Sequence, residues 1–146
     1  MEIDRIVGLN KTFHVEFLES TKERVVAQMP IVPEVFQPFG FLHGGATIAL
    51  LESAASAGAE NNTDFEKERP FGIDVHVRHW KSGKAGMLKG VAELESTERG
   101  KQFWKVTAYD DGGDVVSDGA IITKIVSLER LAEKEREREE TRQKGE

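Results

Sequence analysis

Apolar side chains alternate with polar ones at Phe13, Val15 and Phe17 and again at Val25, Ala27 and Met29, with the polar run ESTKE between the two stretches. A period of two with a polar break reads as a β-hairpin over residues 13–29, in which His14 takes the solvent face. Pro30, Pro33 and Pro38 follow. They discourage helix, so the next element is predicted to begin near His43. From there HGGATIALLESAASAGA is rich in Ala and Leu and poor in β-branched residues. That predicts a central helix over 44–58, stopped by Gly58 and the ENN beyond it. After the polar NNTDFEKERP, Phe71, Ile73, Val75 and Val77 alternate with Gly72, Asp74, His76 and Arg78. Strand-like stretches then run over 87–94, 103–109 and 115–126, divided by the turn-forming SGKAG, TERGK and DDGGD. A hairpin, one long helix and a four-stranded meander predict an α+β fold, an antiparallel sheet of about six strands packed on a single helix. The remainder, 129–146, is nearly all charged, with opposite charges three apart such as Glu133 with Arg136 and Glu139 with Arg142. It is expected to form a solvated helix or tail outside a domain of residues 1–128.

Composition narrows the chemistry. A chain of 146 residues suits one domain with a real core. It has no Cys, which removes disulfides, thiolate nucleophiles and Cys-based zinc sites, and neither a metal nor a redox cofactor is expected. The start, MEIDRIVGLNKTFHVEF, lacks the basic opening and apolar run of a secretory signal and is read as mature protein. The weakly charged run 41–59 contains His43, Gly44, Gly45 and Glu52, so no membrane span is expected. A soluble cytoplasmic protein fits these features. The net charge of −6 argues against nucleic acid or an anionic membrane as partner.

Within the central helix, Glu52 is a lone acid among small and aliphatic residues. A carboxylate there is costly unless paired or neutralised, and a desolvated carboxylate is a candidate general base or nucleophile. Ile48, Ala49, Ala55 and Ser56 share its side of the helix, and Ser56 is placed to hydrogen-bond it or a water beside it. At the helix start, Gly44 and Gly45 leave backbone N–H groups open to a carbonyl oxygen, an oxyanion-hole arrangement. The stretch HVRHWKSGK carries His76, Arg78, His79, Lys81 and Lys84 without an acid, a candidate anion site for the phosphates of a nucleotide-like carrier. Strand alternation puts His79 on the face of Phe71, Ile73, Val75 and Val77, toward the helix, and His76, Arg78 and Trp80 on the other. Neither a phosphate-binding loop, a G-x-S-x-G elbow nor an H-E-x-x-H motif is present.

The run QPFGFLHGGATIALLESAAS closely resembles the helix-start signature of the hotdog-fold acyl-coenzyme A thioesterases. The similarity is to the branch of 4-hydroxybenzoyl-, dihydroxynaphthoyl- and phenylacetate-pathway enzymes, which carry a catalytic carboxylate on the central helix. It continues through GIDVHVRHWKSGKAG and ends near IITKIV. The resemblance implies Glu52 as the catalytic carboxylate, attacking the thioester or activating water. It implies that the Gly44 amide, helped by Gly45, polarises the thioester carbonyl. Gln37 matches a side chain near the thioester or the departing group, His43 shapes the helix start, Ser56 helps position water or Glu52, and His79 lines the acyl pocket. It further implies a homodimer in which two sheets join and two helices lie side by side, commonly with a further pairing of dimers.

The reaction expected is hydrolysis of an acyl-CoA thioester to a free acid and coenzyme A, with no cofactor beyond the substrate's own coenzyme A. Arg78, Lys81 and Lys84 would hold the adenosine phosphates, and the acyl group would enter between helix and sheet. A non-catalytic acyl-CoA-binding or regulatory protein on the same fold is a second reading, and a hydratase or dehydratase a third.

Overall fold

A computed structural model describes residues 3–145. In chain order the elements are α1 (Gly8–Thr12), β1 (Glu16–Ser20), β2 (Arg24–Pro30), a 3-10 turn (Pro33–Val35), α2 (Gly44–Asn61), β3 (Glu68–His79), β4 (Met87–Glu98), β5 (Lys101–Tyr109), β6 (Val115–Ser127) and α3 (Leu128–Lys144). The six strands form one antiparallel sheet in the order β1-β2-β4-β5-β6-β3, with α2 packed across one face. This is the α+β, hotdog-type arrangement that the residue pattern and the resemblance led us to expect. Leu50, Leu51, Ala54 and Ala55 of α2 are sealed against Val25, Met29, Leu88, Val106 and Ile121 of the sheet. β3 and β1 are the two edge strands, and β3, the longer, has no neighbour on its far side among the described residues.

Three local features depart from the sequence pattern. Helix α2 does not stop at Gly58 but runs to Asn61. Gly58 is instead a packing residue: a Cβ there would lie 2.3 Å from the buried indole of Trp104. That indole donates to Thr123 Oγ1 at 2.9 Å, and Thr123 donates in turn to Gln102 Oε1, also at 2.9 Å. In β3, the single alternating face expected from Phe71 to His79 is broken by a bulge between Gly72 and Asp74. One extra residue reverses the parity of a strand. Gly72 therefore faces α2, Phe71 and Ile73 are 45% and 48% exposed, and Val75, Val77 and His79 return to the helix side. Finally, residues 8–12 form the short helix α1, and His14 is not a strand residue but sits in the left-handed turn that follows it (φ 56°).

Helix α3 forms as expected, with Ser127 capping it by accepting from the Arg130 N–H. None of its residues is buried. Among the described residues its ion pairs are Arg130–Glu133 and Arg130–Glu137 rather than the two pairs suggested by spacing.

Candidate active site

Helix α2 presents two chemical groups at different points along its length. At its start, His43 is the N-cap, and its Nδ1 accepts from the Gly45 N–H at 2.8 Å. Gly45 is therefore not available as the second oxyanion donor expected from the sequence. The Gly44 N–H, by contrast, has no acceptor among the described residues, as befits the first turn of a helix. The imidazole of His79 stands over this point: a Cβ built on Gly44 would lie 2.7 Å from His79 Nε2. Sequence reading placed His79 toward the helix, and the structure brings it to the helix start. Ser117 of β6 contacts the other ring nitrogen, with its Oγ 2.6 Å from His79 Nδ1.

Gln37 lies in the proline-rich loop before α2. Its side-chain oxygen accepts from the Phe39 and Phe41 N–H groups. The amide thus organises the loop leading to His43, and its –NH2 has no acceptor among the described residues.

Two turns into α2, Glu52 is half-buried and has neither a hydrogen bond nor an ion pair among the described residues. Its Oε1 occupies the space that a Cβ on Gly72 would take, 2.6 Å from that position. The strand glycine and its bulge make room for the carboxylate, a close approach that only a residue without a side chain permits. Glu52 and Ser56 line one cavity of about 370 Å³. They share it without a hydrogen bond between them, so Ser56 is a neighbour of the carboxylate's surroundings rather than its direct partner.

That cavity is not between helix and sheet, where an acyl group was expected. The interior there is filled by the core. The cavity lies instead on the opposite face of α2, beneath the N-terminal segment, with Ile3, Val7, Leu9 and Phe17 as its apolar lining. The segment is fastened by Arg5 to Glu60 at 2.6 Å and to Asn61 at 2.9 Å, and by Ser53 Oγ donating to Asn10 Oδ1 at 2.8 Å. Ile3, Arg5, Val7, Leu9 and Asn10 did not stand out in the sequence, and Phe17 did so only as part of a strand pattern. Their contacts span some forty or fifty positions, beyond any local pattern. Gly72 did carry a signal, as a glycine interrupting an otherwise regular strand.

The basic stretch over the end of β3 and the loop beyond it is divided among separate partners. Arg78 stacks over the Trp80 ring at 5.1 Å and Lys84 lies over Phe41 at 4.8 Å. Lys81 is held by Asp110 at 2.6 Å and Asp114 at 3.0 Å. The hydrogen bond to Asp110, with that to Asp114, raises the Lys81 ammonium above its ordinary range. Lys81 and backbone donors in the turn hold the Asp110 carboxylate below its own.

A model of the thioesterase superfamily matches residues 39–117, which include the α2 start, Glu52, β3 and Ser117. The chain belongs to the thioesterase superfamily. Among its relatives in that superfamily is ComA2 of Bacillus subtilis, whose name proposes an esterase; it is 42% identical over 66% of this chain and 77% of its own length. A 1,4-dihydroxy-2-naphthoyl-CoA hydrolase of Listeria monocytogenes is 33% identical over 72% of this chain and 85% of its own. A solved Staphylococcus aureus structure, a Glu-to-Ala variant, superposes with a TM-score of 0.81 at 32% identity, covering 83% of this chain and all of the other. Superfamily membership and the names of these relatives support thioester hydrolysis as the activity. Among the described residues, no helix is long and apolar enough to cross a membrane.

Proposed function

We propose that the protein hydrolyses acyl-CoA thioesters at sites shared between two copies of the chain, with Glu52 as the catalytic carboxylate. The observation that carries the reading is the position of Glu52: an unpaired, half-buried carboxylate lodged against Gly72 and open to a cavity of mixed lining, in which Ile3, Val7, Leu9 and Phe17 supply the apolar part. A half-buried acid with no structural partner, facing a cavity, is a functional candidate. Two lines from the relatives support it. Two solved structures of a Staphylococcus aureus thioesterase carry Ala in place of a Glu and of a Gln that lie fifteen residues apart, the separation of Gln37 and Glu52 here. Relatives named as 1,4-dihydroxy-2-naphthoyl-CoA hydrolases point to a CoA ester as the substrate class.

The need for a second copy follows from distance. Gly44 and Glu52 are eight residues apart on one helix, about 12 Å along its axis. Glu52 leans on Gly72, whereas Gly44 lies under His79, roughly 20 Å further along β3. A reacting carbon must sit about 3 Å from its nucleophile while its oxygen meets the oxyanion donor. One protomer does not supply both. β3 presents a twelve-residue free edge, and such an edge is a template for another strand. Antiparallel pairing of two β3 strands about a two-fold axis near Val75 and His76 would set Gly72 and Glu52 of one copy beside His79 and Gly44 of the other. A further pairing of dimers is compatible with this arrangement.

In this reading the Gly44 N–H polarises the thioester carbonyl at the positive end of α2. Glu52 then either attacks the carbon, expelling the CoA thiolate before water cleaves the anhydride, or removes a proton from the attacking water. Gln37, with its free –NH2, and His43, as the cap that shapes the helix start, frame the carbonyl, while Ser56 positions water beside Glu52. The acyl group occupies the cavity under the N-terminal segment. Arg78 and Lys84 meet the adenosine phosphates. Lys81, engaged by two aspartates, contributes less. No resident cofactor is needed for any of these steps.

The test is release of free coenzyme A from benzoyl-, hydroxybenzoyl-, phenylacetyl-, short-chain and long-chain acyl-CoA esters, with wild type beside Glu52→Ala and Glu52→Gln. The expected outcome is turnover of at least one ester by wild type and loss of most of it in both variants. Unchanged hydrolysis by a folded Glu52→Ala protein would contradict the reading, and binding without turnover by wild type would favour the regulatory alternative.

A further inference from the structure

Ser117 of β6 pairs with His79 of β3 in the sheet register and is fully buried. Its hydroxyl contacts His79 Nδ1 at 2.6 Å, and this is the only side-chain hydrogen bond that either group makes among the described residues. A hydroxyl has one proton to place, and a buried donor left without an acceptor is costly. Nδ1 is the acceptor within reach. If Nδ1 accepts, the neutral imidazole carries its own proton on Nε2, the nitrogen that faces the start of α2.

We propose that Ser117 is a positioning residue: it fixes the tautomer of His79 so that Nε2–H becomes the second donor, beside the Gly44 amide, for the thioester carbonyl oxygen. This rests on the function proposed above. The site has an opening for such a donor, because the Gly45 N–H is consumed by His43 and the first turn of α2 is left with the Gly44 amide alone. The geometry agrees. With Nε2 2.7 Å from the Cβ position of Gly44, covalent geometry puts it within about 5 Å of the Gly44 nitrogen. Two donors sharing one oxygen at about 2.9 Å each lie no more than about 6 Å apart. Ser117 itself touches no substrate. Its effect passes through the ring it orients, and with the other tautomer Nε2 would offer a lone pair to an electron-rich oxygen.

The tautomer is readable without turnover, from long-range ¹H–¹⁵N spectra of protein labelled at the imidazole nitrogens. In its neutral form the wild-type His79 is expected to show a protonated Nε2 and an unprotonated Nδ1, and Ser117→Ala to show a mixture. Kinetics, on the CoA ester turned over fastest by wild type, should show kcat falling about tenfold or more in Ser117→Ala with KM little changed. Ser117→Thr, which keeps the hydroxyl, should restore both the spectrum and kcat. His79→Gln retains an N–H donor and should make activity insensitive to the residue at 117. A wild-type His79 protonated on Nδ1, or a Ser117→Ala protein with wild-type kcat, would overturn the proposal. Should wild type hydrolyse no thioester, the proposed function falls and the carbonyl role with it, while the spectrum still decides whether Ser117 sets the tautomer.

Discussion

Glycines, more than charged side chains, set where the reactive groups stand. Gly72 yields its Cβ space to the Glu52 carboxylate, and Gly44 yields its own to the His79 ring. A Gly72→Ala methyl would meet Oε1, the far end of a flexible side chain, so the fold should tolerate it while the carboxylate moves aside. A displacement of about 1 Å at a reacting group can cost on the order of 100-fold. Gly72→Ala is therefore expected to lower kcat by about that factor with an unchanged circular dichroism spectrum, and a wild-type kcat would show that Glu52 does not need this seat. The helix-start residues and Glu52 were legible in the sequence because their chemistry is local: a cap, adjacent glycines and a misplaced acid on one helix. Gly72 showed only as a glycine interrupting a strand, without its role, and Ser117 did not show at all. Each matters through a partner brought near by a bulge or by strand pairing, and neither effect leaves a periodic trace.

At the scale of elements, period-two and helical patterning located the long helix and each of the six strands, because each sets alternate or stacked apolar side chains against a shared core, β1 through the partly buried Phe17 and β3 through Val75 and Val77. The short α1 escaped, since no residue in it is buried and nothing imposes a hydrophobic period. The helix end was misplaced for a different reason: Gly58, a common stop signal, here serves packing. Gly58→Ala should destabilise the fold by about 1–3 kcal/mol through overpacking against Trp104, measured by urea unfolding, and Trp104→Phe in the same chain should recover part of that loss. The turn between β5 and β6 offers an electrostatic test. Asp110 is depressed, so its contribution is present above the ordinary carboxylate range and is lost as pH falls through its lowered value. Lys81 is raised, so its contribution is present below the ordinary ammonium range and is lost as pH rises through its raised value. The difference in Tm between wild type and Lys81→Met should accordingly be flat across neutral pH and shrink at both extremes. A difference that persists unchanged into strong acid would rule out the ion pair as its source.

The whole molecule shows what a single chain leaves incomplete. Its sheet ends in a long free strand, and its two reactive centres, Gly44 with His79 and Glu52 with Gly72, face different ends of that strand. The sequence signalled both centres, but the separation between them emerges only from the fold, where helix rise and strand length convert residue numbers into distance. Mixing two inactive variants tests the shared site directly. In a Glu52→Ala/Gly44→Pro heterodimer, where proline removes the Gly44 N–H at a first helical position that accepts it, one site receives the intact Gly44 of the first chain and the intact Glu52 of the second. Equimolar random mixing by co-refolding should thus recover about a quarter of wild-type acyl-CoA hydrolysis from two nearly inactive parents. Activity no greater than the mean of the two parents, in a sample where heterodimers are demonstrably present, would contradict a site built from both copies of the chain.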